Sequence, residues 1–185
     1  MTQRCQWCNQ SKLYQDYHDN EWGIPSRDDS YLFEMLVLET MQTGLSWYTV
    51  LQKRENYRKE VFSHSIQEIA KFDDGKLEKL MNNKGLIRHK LKIKSIVKNA
   101  KAFLQVQEEY GSFSNYIWSF TNNLVIKNDI YDDSKAPTTT ALSDKISRDM
   151  KKKGFSFVGS TTIYAYLQAI GVVSDHEKGC WKYDV

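Results

Sequence analysis

Apolar residues recur at helical spacing through most of this chain, whereas few stretches alternate with the period of two that strands require. The longest such stripe predicts an amphipathic helix over about residues 87–110. Further helices are predicted at about 31–41, 47–61, 66–72, 77–82, 113–120, 144–153 and 161–170. Ser143 is expected to cap the helix at 144–153, and residues 1–30 and 121–142 are expected to be irregular. The fold class is therefore predicted to be mainly α.

The composition is that of a soluble globular protein, because 41% of the 185 residues are apolar and 26% are charged. The length suits one globular unit, or two small lobes that share a core. The net charge of +3 is compatible with a nucleic-acid partner but does not argue for one. The N-terminus lacks the apolar segment of a signal peptide, and no run of about 18 apolar residues predicts a membrane span. We expect a cytoplasmic protein with no membrane partner.

A carboxylate interrupts the apolar face of the predicted helix at 31–41. Glu39 follows Met35 by four residues and Leu36 by three, so helical geometry places the three side chains on one face. Burial of a carboxylate is costly unless another group pairs with it. One interpretation is a structural ion pair or cap. The other is a carboxylate presented to a pocket, which the Trp, Tyr and His residues nearby in the sequence favour.

Aromatic residues make up 13% of the chain and are dense near its N-terminus. The notable set is Trp7, Tyr14, Tyr17, Trp22 and, further on, Trp47. Core packing would explain a lone aromatic residue, but residues 1–22 contain few aliphatic residues and no apolar periodicity. Aromatic side chains with polar edges suit a site that stacks a flat base and hydrogen-bonds its rim.

Cysteine and histidine residues stand near both ends of the chain. The candidate metal ligands are Cys5, His18, His176 and Cys180. The spacing of His176 and Cys180 suits one helical turn that presents two ligands, and two Cys with two His form a common closed zinc set. Cys8 competes for Cys5 through a Cys-x-x-Cys pair, and unrelated core or surface residues are an equally good interpretation. Three cysteines in such a chain favour a reducing compartment over a disulfide framework.

A glycine-containing segment, residues 83–90, joins the predicted helix at 77–82 to the predicted basic helix at 87–110 and includes the first residues of the latter. At its centre are Gly85, Leu86, Ile87, Arg88 and His89. A glycine bend before a helix N-terminus exposes backbone N–H groups that can hold a phosphate, and basic residues beyond it add nonspecific affinity for a nucleic-acid backbone. The alternative is an ordinary helical hairpin with a solvated basic face. The basic cluster at 148–153 is interpreted as a solvated helix end.

The chain contains none of the local patterns of a serine hydrolase, a zinc protease, a P-loop or a dinucleotide-binding fold. A cysteine-dependent hydrolase has no local support beyond the coexistence of Cys and His. The carboxylate, the aromatic set, the candidate ligands and the hairpin are therefore the features that bear on function.

Several strings, taken in order, resemble bacterial 3-methyladenine DNA glycosylase I, a branch of the helix-hairpin-helix DNA glycosylases. They are YQDYHDNEWG from Tyr14, TGLSW from Thr43, GLIRH from Gly85, FSFVG from Phe155 and the pair Asp175-His176, with Glu39 after the first string. The match runs along nearly the whole chain, and the string HDNEWG is long and unusual.

The resemblance implies a helix-hairpin-helix lobe at about 31–115 and a second lobe formed by about 1–30 together with 116–185, within one globular unit of residues 1–185. It also implies one structural zinc ion that ties the chain ends together and leaves no open position for water. The ligand places fall on Cys5, His18, His176 and Cys180. Cys8 has no place in that set.

By the same resemblance, Glu39, Tyr17 and Trp47 take base-binding positions, and Glu39 is the catalytic candidate. Trp7, Tyr14 and Trp22 are expected to line the same pocket.

The resemblance also implies contacts with DNA. Gly44 and Leu45 match a loop that approaches the gap left by the displaced base, and Gly85, Leu86, Ile87, Arg88 and His89 match the element that holds phosphate. Many members of the wider superfamily carry a Gly-Pro…Asp element whose Asp assists the attack of water. This chain contains no Gly-Pro, so no general base is assigned.

The implied activity is monofunctional excision of 3-methyladenine from double-stranded alkylated DNA, after the base flips into the pocket, with free 3-methyladenine as product. We expect the protein to act as a monomer. The alternative is a non-catalytic, zinc-stabilised DNA-binding module. That alternative explains the hairpin, the lysines and the ligands, but not a carboxylate on an apolar face beside tryptophans.

Overall fold

The computed structural model describes residues 3–184 and is mainly helical over them, as predicted. Its helices are α1 (Lys12–Asn20), α2 (Asp29–Gln42), α3 (Trp47–Tyr57), α4 (Ile66–Ile69), α5 (Asp74–Asn82), α6 (Lys90–Tyr110), α7 (Phe113–Ser119), α8 (Ala141–Lys152) and α9 (Ser160–Ala169). The strands β1 (Ile126–Lys127) and β2 (Val173–Ser174) pair in parallel, with Ile126 opposite Val173. No helix among the described residues combines the length and apolar character that crossing a bilayer requires.

Helix α2 lies at the centre of the molecule, in contact with α3, α6, α7 and α9. Its first turn is capped by Asp28, whose carboxylate accepts a hydrogen bond from the Ser30 N–H at 3.0 Å. Every residue from Met35 to Met41 is buried, so this part of α2 is enclosed on all sides rather than along one stripe. The helix therefore carries Glu39 into the interior of the protein.

Helices α5 and α6 pack against each other and are joined by a loop of residues 83–89. Helix α6 begins at Lys90, three residues later than the apolar stripe predicts. His89 caps it by accepting a hydrogen bond from the Lys92 N–H at 3.3 Å, while the Ile87 N–H donates to the Tyr57 hydroxyl at 3.2 Å. Ile87 belongs to the loop and not to the helix. It is nevertheless buried, so its apolar side chain extends the apolar stripe of α6 in the sequence.

The expectation of irregular structure over residues 1–30 is wrong for α1. Ser11 caps this helix by accepting from the Tyr14 N–H at 3.2 Å. The buried face consists of Tyr14, Tyr17 and His18, at the i, i+3 and i+4 positions of a helix. Because that face has aromatic and imidazole groups in place of aliphatic ones, it produces no aliphatic periodicity in the sequence.

The expectation that Ser143 caps α8 is also wrong. The helix begins at Ala141, and Thr140 is its cap. The Thr140 hydroxyl accepts from the Ser143 N–H at 3.2 Å, and the Ser143 hydroxyl accepts from the Thr140 N–H at 2.8 Å. Ser143 is thus the third-position partner in a capping box, a place that Glu or Gln usually takes.

The two ends of the chain lie against each other. The Gly23 N–H donates to the Gln168 carbonyl at 3.0 Å, and the Trp181 N–H donates to the Gln3 carbonyl at 3.0 Å. These bonds place the N-terminal aromatic residues beside α9 and the C-terminal segment. The division into two lobes, with its boundaries near residues 30 and 115, stays a prediction.

Replacement of Gly171 by Ala tests how tightly the chain ends pack. A Cβ there would lie 2.3 Å from the Ile24 carbonyl carbon and the Pro25 nitrogen, at a φ of +73°. Gly154→Ala is the matched control, since Gly154 has a φ of +94° with nothing within 4 Å of its Cβ position. Urea unfolding should show a loss of about 1 kcal/mol for Gly154→Ala and of about 3 kcal/mol or more for Gly171→Ala. Equal losses would contradict a rigid contact.

Candidate functional site

A cavity of about 330 Å³ lies between α1, α2 and α9 and brings together residues from both halves of the chain. The six predicted pocket residues line it together, namely Glu39, Trp7, Tyr14, Tyr17, Trp22 and Trp47. The remaining lining residues are Gln42, Asp133, Ala136, Ala165, Gln168 and Asp175. Half of the lining residues were therefore predicted from the sequence.

Trp7 organises the aromatic wall of the cavity. It lies on a 3-10 turn at Gln6–Gln10, and its ring packs edge-on against Tyr14 at 5.4 Å, Trp22 at 5.1 Å and Tyr17 at 6.3 Å between centroids. Edge-to-face contacts of this kind are favourable beyond simple area burial. They fix the rings without filling the space that the rings surround.

Glu39 is 4% exposed and projects from α2 into the cavity wall. Its carboxyl group has no hydrogen-bonding or ion-pair partner among the described residues, so the interpretation of a structural ion pair is wrong. Burial raises the pKa of Glu39 to about 8, because removal from water disfavours the charged form. In the free protein the carboxyl is therefore mainly protonated at neutral pH.

Two further polar atoms at the cavity are buried without a hydrogen-bond partner among the described residues, the Tyr17 hydroxyl and the Trp47 Nε1. Burial, and after it the charge of Glu39, raises the pKa of Tyr17 well above its usual range, so the hydroxyl keeps its proton. Each unpaired buried group costs about 1–3 kcal/mol. Native proteins contain few such groups, and two that line one cavity with a free carboxyl indicate a ligand.

Asp175 is a second buried carboxylate of the cavity, and it is fully paired. It accepts from Tyr164 Oη at 2.5 Å, Gln168 Nε2 at 2.8 Å and Asn128 Nδ2 at 2.7 Å. Its only sequence signal is its place in the resemblance, beside His176. No local pattern in the sequence could have found Gln168 or Asp133, since they come from segments that only the folded chain brings to the cavity.

Four buried residues from the two ends of the chain place their donor atoms within 4.8 Å of one another. They are the predicted ligands Cys5, His18, His176 and Cys180. Cys5 Sγ lies 3.6 Å from His176 Nδ1, and Cys180 Sγ lies 3.4 Å from His18 Nε2. Such separations suit donors arranged around one ion at bond lengths of about 2.0–2.3 Å. The group can hold a metal ion.

The chemistry of these donors fits a metal as well. Burial lowers the pKa of His176 to about 4, so its imidazole is neutral at pH 7, which is the form that binds metals. The Glu177 N–H donates to Cys5 Sγ at 3.3 Å, and the Lys182 N–H donates to Cys180 Sγ at 3.4 Å. Burial raises the pKa of the Cys5 thiol by more than the Glu177 hydrogen bond lowers it, so loss of the Cys5 proton would accompany binding of a metal ion.

The imidazole rings are fixed from outside the group. His18 Nδ1 lies 2.8 Å from Asp19, and Asp19 is held by Arg4 in a two-point contact that lowers the pKa of Asp19 to about 2. A Cβ at Gly23 would lie 2.6 Å from His176 Nε2, and Gly23 has a φ of +76°. Glycine is therefore required at position 23 for the close approach of the ring.

The chain is similar to proteins of a known family. The methyladenine glycosylase family model matches residues 7–183. The chain belongs to the methyladenine glycosylase family. The DNA-3-methyladenine glycosylase of Haemophilus influenzae is 47% identical over 180 residues, 97% of each chain. The DNA-3-methyladenine glycosylase 1 of Escherichia coli is 44% identical, over 98% of this chain and 97% of its own.

A solved structure is also similar to this member of the methyladenine glycosylase family. It is a tyrosine-to-phenylalanine variant of 3-methyladenine DNA glycosylase I in complex with 3-methyladenine. The identity is 31%, the TM-score is 0.92, and the match covers 96% of this chain and 95% of that one.

In this methyladenine glycosylase family member, the predicted DNA-contacting residues lie outside the cavity. Gly44 is exposed with a φ of +79°, and the adjacent Leu45 side chain is exposed as well. In the α5–α6 loop, Leu86 and Ile87 are buried, whereas the side chains of Arg88 and His89 are exposed.

Gly85 lies against α3. Its carbonyl accepts from Asn56 Nδ2 at 3.2 Å, and a Cβ there would approach the Asn56 amide to 2.9 Å. The glycine thus allows the loop to pack closely on α3, which is a structural reason for a residue that the sequence analysis assigned to phosphate binding.

Glu39→Gln should stabilise the free protein in a pH-dependent way. Because the folded pKa is raised, the native protein loses stability as the pH rises from the unfolded value near 4.5 through about 8, and an amide has no such loss. The difference in the free energy of unfolding should be small at pH 5 and reach about 5 kcal/mol above pH 8. Denaturant unfolding at a series of pH values measures it. Glu108→Gln, at an exposed carboxylate, controls for the loss of charge. If the free energy of unfolding of Glu39→Gln and of the native protein changed in parallel with pH, the raised pKa of Glu39 would be contradicted.

Proposed function

We propose that this protein is a DNA base-excision glycosylase that hydrolyses the N-glycosidic bond of 3-methyladenine in alkylated DNA. The observation that carries the proposal is a cavity whose aromatic walls surround three unpaired polar groups, those of Glu39, Tyr17 and Trp47. Relatives of 44–47% identity are DNA-3-methyladenine glycosylases, and a similar solved structure contains 3-methyladenine.

The cavity suits a flat, positively charged base. Methylation at N3 makes adenine cationic while it is attached to the sugar, and indole faces attract cations by roughly 2 kcal/mol when water is excluded. The acidic residues of the lining are Glu39, Asp133 and Asp175, and no Lys or Arg belongs to it among the described residues. This arrangement favours a cationic base over neutral adenine.

Glu39 acts through its ionisation. Entry of the cationic base places a positive charge beside the carboxyl and lowers its pKa, so the proton leaves and the carboxylate accepts hydrogen bonds from the amino edge of the base. The carboxylate then stabilises the positive charge that spreads over the sugar as the glycosidic bond breaks. Water adds to the sugar carbon, the base departs neutral, and one proton is released to solvent.

The reaction leaves an abasic site, and the enzyme is monofunctional. A lyase step would need an amine within reach of the sugar, and the described lining residues include no lysine. Because the cationic base is already a good leaving group, the pocket supplies selectivity and charge stabilisation, and no single residue is assigned as general base.

DNA is held outside the cavity, by the α5–α6 hairpin acting as a helix-hairpin-helix element. The exposed side chains of Arg88 and His89 and the N-terminal end of α6 favour phosphate binding. Gly44 and Leu45 lie at the rim where the flipped base leaves the double-stranded partner, and the exposed Leu45 side chain can occupy the gap.

We propose that one structural zinc ion occupies the group of Cys5, His18, His176 and Cys180. Two thiolates and two imidazoles complete a closed coordination set, so zinc supplies folding energy rather than an activated water. The ion would connect the N-terminal segment that carries Trp7 to the C-terminal segment that carries Asp175.

Incubation of the purified protein with DNA treated with a methylating agent tests the activity. Chromatography should show release of 3-methyladenine by the native protein and at least about 100-fold slower release by Glu39→Gln. Glu108→Gln should behave like the native protein. A folded, DNA-binding native protein that releases no base would instead support the non-catalytic DNA-binding module.

Elemental analysis tests the zinc site. The native protein should carry one zinc ion per chain, and Cys180→Ser should lose it and melt at a temperature lower by about 10 °C or more. Cys8→Ser is the matched control, because the buried Cys8 thiol lies outside the ligand group and donates to the Cys5 carbonyl at 3.1 Å. Full zinc content in Cys180→Ser would contradict the assignment.

A further inference from the structure

Lys92 is a buried cation that the catalytic scheme does not use. It lies in the first turn of α6, directly after the hairpin loop, and is 6% exposed. Its ammonium group donates to the Met41 carbonyl at 2.9 Å and to the Thr43 carbonyl at 2.5 Å. Both carbonyls belong to the C-terminal end of α2, just after Glu39.

The position of Lys92 is unfavourable for its own helix and favourable for α2. A cation in the first turn of α6 opposes the positive end of that helix dipole, whereas the same cation at the end of α2 meets the negative end. The last carbonyls of a helix also lack intrahelical donors, and Lys92 supplies two. Lys92 of α6 therefore caps the C-terminal end of α2.

The loop that follows α2 has otherwise local hydrogen bonds. The Leu45 N–H donates to the Gln42 carbonyl at 2.7 Å, and the Gln42 side chain donates back to the Leu45 carbonyl at 2.9 Å. The Gly44 Cβ position has no neighbour within 4 Å. Among the described residues, Lys92 is the only donor distant in sequence that hydrogen-bonds this loop. It lies 49 positions from Thr43.

We propose that Lys92 is a positioning residue that fixes the Gly44–Leu45 loop and the end of α2 relative to the α5–α6 hairpin. This inference rests on the proposed glycosylase function. When the hairpin binds the DNA backbone, Lys92 keeps the Gly44–Leu45 loop and the carboxyl of Glu39 at a fixed position relative to the bound DNA. Lys92 acts on the step that delivers the base, and the pocket itself remains intact without it.

The alternative is that Lys92 is a catalytic nucleophile. Burial lowers the pKa of its ammonium group, as it does in lysines that form Schiff bases. Against this role, Lys92 does not line the cavity, and its amine faces two backbone carbonyls.

The test compares Lys92→Met with Lys94→Met and Lys92→Arg. Lys94 is an exposed lysine of the same helix, so its replacement controls for the loss of positive charge near DNA. Arginine keeps the charge and the donors, and it also provides a folded variant if methionine at position 92 prevents folding. Two quantities are measured for each variant, the single-turnover rate of 3-methyladenine release from methylated DNA and the affinity for free 3-methyladenine.

We expect Lys92→Met to slow excision from DNA by about 10- to 100-fold while the affinity for the free base changes by less than about twofold. Lys92→Arg should recover most of the rate, and Lys94→Met should stay close to the native rate at low salt. A parallel loss of rate and free-base affinity in Lys92→Met would overturn the proposal in favour of a general structural role, and an unchanged rate would overturn it outright.

Borohydride distinguishes the catalytic alternative. Covalent trapping of the native protein on DNA, absent in Lys92→Met, would overturn the positioning role. If the native protein releases no base at all, the proposed function fails. An active native protein whose rate is insensitive to Lys92 contradicts this inference alone.

Discussion

The burial of the Glu39 carboxyl within α2 is the constraint on which the rest of the site depends. Helix α2 is enclosed from Met35 to Met41, so the carboxyl can reach water only through the cavity. Desolvation holds its pKa at about 8 and keeps it protonated in the free protein. A ligand that brings positive charge favours ionisation of this carboxyl at neutral pH, and the proposed chemistry of the cavity follows from that coupling.

The aromatic wall of the cavity comes largely from an N-terminal segment that contributes little aliphatic core, and the closure of the chain ends holds that segment in place. Glu177, beside the candidate metal ligand His176, is central to this closure. One of its carboxylate oxygens accepts from the Gln6 N–H at 2.8 Å and the other from the Asp133 N–H at 3.0 Å. Gln6 precedes Trp7, and Asp133 lines the cavity. Glu177 thus connects the candidate metal ligands to two segments that line the pocket.

Much of the fold was predictable because its helices carry periodic apolar faces. Helix α1 escaped detection because its buried face is built from tyrosines and a histidine. Glu39 was identifiable because a carboxylate on an apolar face breaks a pattern, whereas Asp175 breaks none and acquires its partners Tyr164, Gln168 and Asn128 only in the folded chain. The four candidate metal ligands could be named from the sequence through the resemblance. Their spacing alone did not distinguish a metal site from unrelated residues. The proposed role of Lys92 depends on a contact between residues 49 positions apart, which no local pattern encodes.

Three buried polar groups at the cavity lower the stability of the free protein. The unpaired Tyr17 hydroxyl and Trp47 N–H each cost about 1–3 kcal/mol, and Glu39 costs stability as the pH rises toward 8. A ligand that pairs all three recovers this free energy on binding. Neutral adenine can fill the same volume and meet the two donors, but it brings no charge to ionise Glu39. On the proposed function, we therefore expect the ionisation of this one buried carboxyl to contribute more to discrimination between a damaged and an intact base than the shape of the cavity does. That role would explain a carboxylate at a position where an amide of the same size would give a more stable protein.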